Sequence, residues 1–307
     1  MLFNKENKGG EELQAITGIF SAESSYSVIG PEIDDAMRTV AQAVSAEVLA
    51  EAEQAYENGD NGKQALVRAV QLPVAVLAIL RLSKTNLVAH DDRGAKFKVD
   101  GDEKMPFEWM IDRDERAMTE RYYRAMDALY SFLLSSHNES FANFINKHSL
   151  FFSIVKNLSD FERVYPIEGS YYVFYMLQNL VVECQGRTKK LVGEEIWAEL
   201  FDTKNEELLK VCQRHAILSA IVTAVERWSL EVFPLSIARR FAPSYQGNRS
   251  SNSATESEML AYIKRMNSQI AAAESDISTL LSGGKNPWEQ MEPVPEGDPR
   301  NKYYSVQ

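Results

Sequence analysis

The stretch VQLPVAVLAIL, residues 70–80, carries a single polar side chain, Gln71. An element with no polar face has to be covered on most sides, so the chain must fold around it. With its flanks, from about Lys63 into Ser83, it has the length of a helix, and Pro73 predicts a kink inside that helix. The segment before it, PEIDDAMRTVAQAVSAEVLAEAEQAYENG, is suited to be part of the cover. Pro31 sits at a natural first-turn position with acidic residues behind it, and Asn58-Gly59 makes a helix stop. Ile33, Met37, Val40, Val44 and Val48 lie on one helical stripe.

Helical period continues along most of the chain. It predicts helices over about 106–136, 138–147, 149–160, 170–184, 193–201 and 205–231. One exception is NLVAHDDRGAKFKV, where two short strand-like runs flank Asp91, Asp92, Arg93 and Gly94, predicting a hairpin at about 86–99. The fold class expected is all-α: a helical bundle of two weakly related modules, a small projecting β-hairpin, and a C-terminal coiled-coil-like helix with an extended tail. The relation between modules rests on a faint repeat. Ser25-Tyr26 matches Ser170-Tyr171, Val28 matches Val173, and Leu66 and Ile79 match Leu208 and Ile221, the last two at an offset of 142 (208 − 66 and 221 − 79). Chance similarity between amphipathic helices is the other reading of that repeat. The first module is expected over 1–137 and the second over 138–243, with a linker, helix and arm over 244–307.

The late helix, about 255–282, has a narrow seam. Met259, Ile263, Met266, Ile270, Ala273, Ile277 and Leu280 alternate spacings of four and three, a heptad pattern. It can pack on its own domain or serve self-association. Beyond Gly283-Gly284, the Pro-rich tail carries Trp288, Met291, Tyr303 and Tyr304, residues costly to leave in water. It reads as a disordered tail or as an arm lying on a neighbouring subunit.

Little in the sequence proposes chemistry. There is no Gly-rich phosphate loop, no G-x-S-x-G and no H-E-x-x-H. Cys184 and Cys212 are isolated, which argues against a disulfide framework or a zinc site and fits a reducing cytoplasm. Cys212 and His215 share a helix face but lack two further ligands. His137 and His148 have no acidic or cysteine partners at ligand spacing. His90, Asp91 and Asp92 imitate a small active site, yet adjacent residues of an extended arm point to opposite sides. The acidic group Asp112, Asp114 and Glu115 complements a helix dipole at the start of the helix begun by Pro106. No catalytic residue, cofactor or metal is therefore expected. A formal charge of −11 argues against a general grip on nucleic acid. No apolar run is read as approaching the roughly 20 residues of a membrane span, and MLFNKENKGGEEL has no signal-like apolar segment.

Residues 65–97, ALVRAVQLPVAVLAILRLSKTNLVAHDDRGAKF, and 105–136, MPFEWMIDRDERAMTERYYRAMDALYSFLLSS, resemble a family of phages and prophages of Bacteroidetes. There an apolar helix runs into a turn, then a Pro-aromatic-x-Trp start opens a long helix with an aromatic-rich end. The resemblance covers roughly residues 10–243, and that family is similar to head–tail connector, or neck adaptor, proteins of tailed phages. It implies a virion protein assembled in the bacterial host cytoplasm, forming a ring of probably twelve copies below the portal that extends the DNA channel. The implied partners are the chain itself, the portal protein, other neck or tail proteins, and DNA passing without specific binding, with no membrane. Subunit-interface residues would be Asp91, Asp92, Arg93, Gly94, Phe97, Met259, Ile263, Met266, Ile270, Ile277, Trp288, Tyr303 and Tyr304. The alternative function is a cytoplasmic helical scaffold that binds protein partners through the late heptad helix.

Overall fold

The computed structural model describes residues 2–4, 9–21, 25–86, 88–91, 94–97, 107–147, 152–200, 205–227, 239–241, 251–253 and 256–283. It is mostly helical. In chain order the helices are α1 (Gly9–Thr17), α2 (Tyr26–Val44), α3 (Ala46–Glu57), α4 (Gln64–Asn86), α5 (Glu108–Ser135), α6 (Glu139–Lys147), α7 (Leu158–Val164), α8 (Tyr171–Val192), α9 (Glu194–Leu200), α10 (Glu206–Arg227) and α11 (Glu256–Leu281). Two short antiparallel pairs accompany them: β1 (Val88–Asp91) with β2 (Gly94–Phe97), and β3 (Arg239–Phe241) with β4 (Ser251–Ser253).

Side-chain caps explain many of the boundaries. Ser25 starts α2 by accepting the Ser27 amide, Asn138 Oδ1 accepts from Phe141 at 2.9 Å, and Asn205 Oδ1 accepts from Leu208 at 3.1 Å. Ser45 divides what the apolar stripe presents as one helix. With φ at 135°, it breaks the spiral, and its hydroxyl accepts the amides of Glu47 and Val48 at 3.0 and 3.3 Å to begin α3. The stripe still holds, since Ile33, Val40, Val44 and Val48 are fully buried. Pro31 lies inside α2 rather than at its start, because the Ser25 cap places the first turn five residues earlier. The helix predicted over 149–160 is instead α7, shifted to 158–164. The Ile154 amide is taken by Gln185 Oε1 at 2.8 Å and the Val155 amide by Ser153 Oγ at 3.1 Å, so residues 153–155 make no helical ladder.

The chain forms two compact units. The first comprises residues 1–151, 167–176 and 228–255; the second comprises 152–166, 177–227 and 256–307. Neither is a single stretch of sequence. In the first unit α4 is the hub, contacting α1, α2, α3 and α5, while α6 packs on α3 and α5. In the second unit α10 is the hub, contacting α7, α9 and α11. Each fully buried Val, Leu or Ile on such a hub stabilises by about 1.5–3 kcal/mol.

Both hubs are long and apolar enough to cross a membrane by length and composition, which corrects the reading that no such run exists. Their apolar surface is covered by protein, with 61% and 78% of the relevant windows buried. Central helices of a bundle meet the same criterion for that reason.

The element order repeats. A short helix, a Ser-capped helix, a third helix, an apolar hub, a two-stranded pair and a long helix occur as α1–α5 with β1–β2, and again as α7–α11 with β3–β4. The hubs begin at 64 and 206, again an offset of 142 (206 − 64). Gln71 and Gln213 lie at the same offset (213 − 71), and both are buried. Their bonding also matches. Gln71 Nε2 donates to the Leu2 carbonyl at 2.7 Å and to Glu12 of α1 at 3.1 Å. Gln213 Nε2 donates to the Ile154 carbonyl at 3.2 Å and to Asp160 of α7 at 3.4 Å. The late helix is thus no appendage: α11 packs on α10 as α5 packs on α4.

Candidate functional site

Among the described residues, three arrangements gather polar and titratable groups. The first lies in the second unit. His215 of α10 is 1% exposed, with Nδ1 2.8 Å from Thr188 Oγ1 on α8 and Nε2 3.3 Å from Glu274 Oε1 on α11. Facing a carboxylate, Nε2 carries the proton in the neutral ring, and Nδ1 then accepts from the Thr188 hydroxyl. Burial holds the His215 pKa below its ordinary value, Glu274 opposes that, and Arg187 adds to it. The order hydroxyl, imidazole, carboxylate imitates a nucleophile relay, but Thr188 is fully buried and no substrate carbonyl can reach it. The trio ties three helices together.

Cys212, on the same face of α10, does not complete a metal half-site. Its thiol is pushed up to about 12 by burial, and Cys184 is raised for the same reason. No group of three or more metal-ligating side chains occurs among the described residues.

The second arrangement is a cleft of about 630 Å³ in the first unit, walled by α1, the end of α3 and the start of α4. Glu12 stands in it, accepting from the Asn4 amide at 2.8 Å, the Tyr56 hydroxyl at 3.0 Å and Gln71 at 3.1 Å. Three donors leave that carboxylate little capacity for a ligand, so it acts as a staple between α1, α3, α4 and the first residues. Burial, with the neighbouring Glu12 charge, pushes the Tyr56 phenol up to about 12. Arg68 lines the same cleft and has no ion-pair partner among the described residues.

The third is an aromatic nest, also in the first unit. Tyr122, Tyr123 and Tyr130 of α5 meet Tyr172 and Tyr175 with ring centroids 4.9–6.2 Å apart, and Phe141 of α6 closes one side. Asp127 of α5 accepts from Ser170 Oγ and from the Tyr172 amide, both at 2.9 Å, which caps α8. Burial raises the Asp127 pKa against the pull of those donors. The nest packs α5, α6 and the start of α8 together.

The residues expected to make subunit contacts are placed unevenly. Asp91, Gly94 and Phe97 stand in the β1–β2 pair, with Asp91 opposite Gly94. Asp92, Arg93, Trp288, Tyr303 and Tyr304 lie outside the described residues. Met266 and Ile277 are buried in the second unit with Ala273, while Met259, Ile263 and Ile270 are half-buried. The heptad seam therefore has a partner within its own chain, and these side chains are not free for a second molecule while α11 rests on α10. Sequence reading missed Thr188, Glu274, Glu12 and Asp160, because each finds its partner 27 to 59 residues away. The one available signal was Gln at matching positions of two apolar helices.

No family model, no curated protein and no solved structure matches this chain.

Proposed function

We propose that the protein is a structural component of a phage virion: a head–tail connector that forms a ring below the portal and extends the DNA channel. Its work on this reading is assembly, not catalysis. The observation that carries the proposal is the doubled hub architecture, two sets of helices in one order around α4 and α10, each with a buried glutamine at the same place. That arrangement supports a duplication of one module, and a rigid helical body is what the resemblance to the connector family implies. The strand pair β1–β2 is proposed as a projecting hairpin that touches a neighbouring subunit through Asp91, Asp92, Arg93, Gly94 and Phe97. Residues 284–307 are proposed as an arm on an adjacent copy. The net charge of −11 suits a wall past which DNA slides, since phosphate binding through counterion release needs basic side chains.

A cytoplasmic scaffold is the second reading. It is favoured by Leu260, 58% exposed on α11, which a partner helix could cover. Light scattering and negative-stain imaging, with and without portal protein, separate the two. A closed ring of about a dozen subunits is the expected result. A strict dimer in every condition, unmoved by portal, would sink the connector reading.

A further inference from the structure

We infer that α11 is exchangeable between copies, packing on the α10 of a neighbouring molecule through the same seam it uses within its own chain. The inference rests on the ring reading for its setting but on the repeat comparison for its argument.

The long helices of the two repeats are matched at an offset of 148. Met118, Ala125 and Leu129 of α5 correspond to Met266, Ala273 and Ile277 of α11 (266 − 118, 273 − 125 and 277 − 129), and all six are buried. This face meets the hub in each case. On α5 a second face is buried too, through Tyr123, Met126 and Tyr130, which meet the aromatic nest or the core. The same positions on α11 are Ala271, Glu274 and Ser278, all exposed. Among the described residues, α5 is thus held from two sides and α11 from one. An element with few buried contacts opens locally at lower cost than its neighbours.

The bonds that hold α11 can be made equally well by another copy. They include His215–Glu274, the Arg214–Asp276 ion pair at 3.7 Å and the Tyr165–Tyr262 hydroxyl contact at 3.1 Å. None requires α10 and α11 to belong to one molecule. Twenty-eight residues separate Arg227 from Glu256 (256 − 227 − 1); with β3 and β4 paired, the 13 outside that pair and its connection (228–238 and 254–255) still have an extended reach of about 45 Å at ~3.4 Å per residue. Exchange of an identical element then joins subunits without any new surface.

Cross-linking tests it. Chains carrying Arg214→Cys alone and Asp276→Cys alone are mixed in denaturant, refolded together, assembled with portal and treated with a short bis-maleimide. The natural Cys184 and Cys212 are buried, and unmixed wild-type chain serves as the control for them. A covalent two-chain product from the mixture is expected, whether the particle is a ring or a smaller oligomer. A ring that yields no two-chain product, while the Arg214→Cys/Asp276→Cys double variant cross-links within one chain, overturns the exchange and leaves the ring standing. Two-chain product in a dimer that never closes supports the exchange and sinks the ring. A monomer with intrachain product alone removes both.

Discussion

The hub helices α4 and α10 occupy the same place in two sets of elements but keep their neighbours by different means. Most of α4 is buried apolar surface: Val70, Val74, Ala75, Val76 and Ala78 are sealed, and among its described residues Gln71 is the one buried polar side chain. The burial of α10 includes Gln213, His215 and Ser219 besides its apolar residues. Non-directional burial does most to cover α4, with Gln71 bonding Glu12 of α1 and Arg81 bonding Thr39 of α2 at 2.9 Å, whereas at α10 directed bonds take the larger share in deciding which element covers it, and where. Gln213 reaches the Ile154 carbonyl and accepts from Arg163 at 3.0 Å, and His215 reaches α8 and α11. The first unit should therefore fail as a packed core fails, and the second as a bonded network fails.

The largest effect expected is from Val76→Asp, which places an unpaired charge in a fully buried position on α4. It should cost about 4 kcal/mol or more and abolish cooperative unfolding of the first unit, read by circular dichroism in urea. If the unfolding midpoint barely moves, α4 is not the hub described. Next is Gln213→Ala, which strands the Ile154 carbonyl and leaves Arg163 with its Asp160 pair alone; about 1–3 kcal/mol is expected. Hydrogen exchange should place the loss at α7 and at residues 153–155, leaving α4 protected.

A pH effect is smaller and separates the two hubs cleanly. Because folding lowers the His215 pKa, the unfolded chain binds the proton more readily than the folded one. The stability contributed by the neutral ring is present above the unfolded value near 6.5 and is lost as pH falls from there towards the lowered folded value. Protection of α11 against exchange, corrected for the intrinsic rate, should fall across that window in the wild type. In His215→Gln the dependence should flatten; an unchanged slope would assign it to other groups. The smallest effect is from Arg227→Ala. Its paired bonds to Glu183, both 2.7 Å, are well formed but exposed, so water and salt compensate most of their loss. A thermal midpoint close to wild type is expected, and a large drop would mean that the last turn of α10 matters more than its exposure suggests.

Much of this architecture is legible from particular residues. The apolar run at 70–80 required a surrounded helix, the Ile33-to-Val48 stripe required a buried face, and the spacing from Met259 to Leu280 required a seam. The repeated Ser-Tyr pairs fall at the starts of α2 and α8, and the repeated Leu/Ile pairs in the hubs α4 and α10. Other features were not legible. Ser45 interrupts an unbroken stripe because its hydroxyl caps α3, a local preference that offsets its unfavourable positive φ and that periodicity does not record. The partner of the α11 seam was open, since a heptad pattern reads the same whether its groove is supplied by the same chain or another.

The sequence by itself determined that this chain is helical, that two helices must be enclosed, and where most helices run. Those properties follow from side-chain period, hydrophobicity and capping, each confined to a few neighbouring residues. Tertiary structure alone decided that Gln71 and Gln213 take equivalent partners, that His215 joins Thr188 and Glu274, and that α5 is held on two faces where α11 is held on one. Those outcomes depend on which distant segments meet, and a hydrogen bond across 59 residues leaves no local trace in either of its ends.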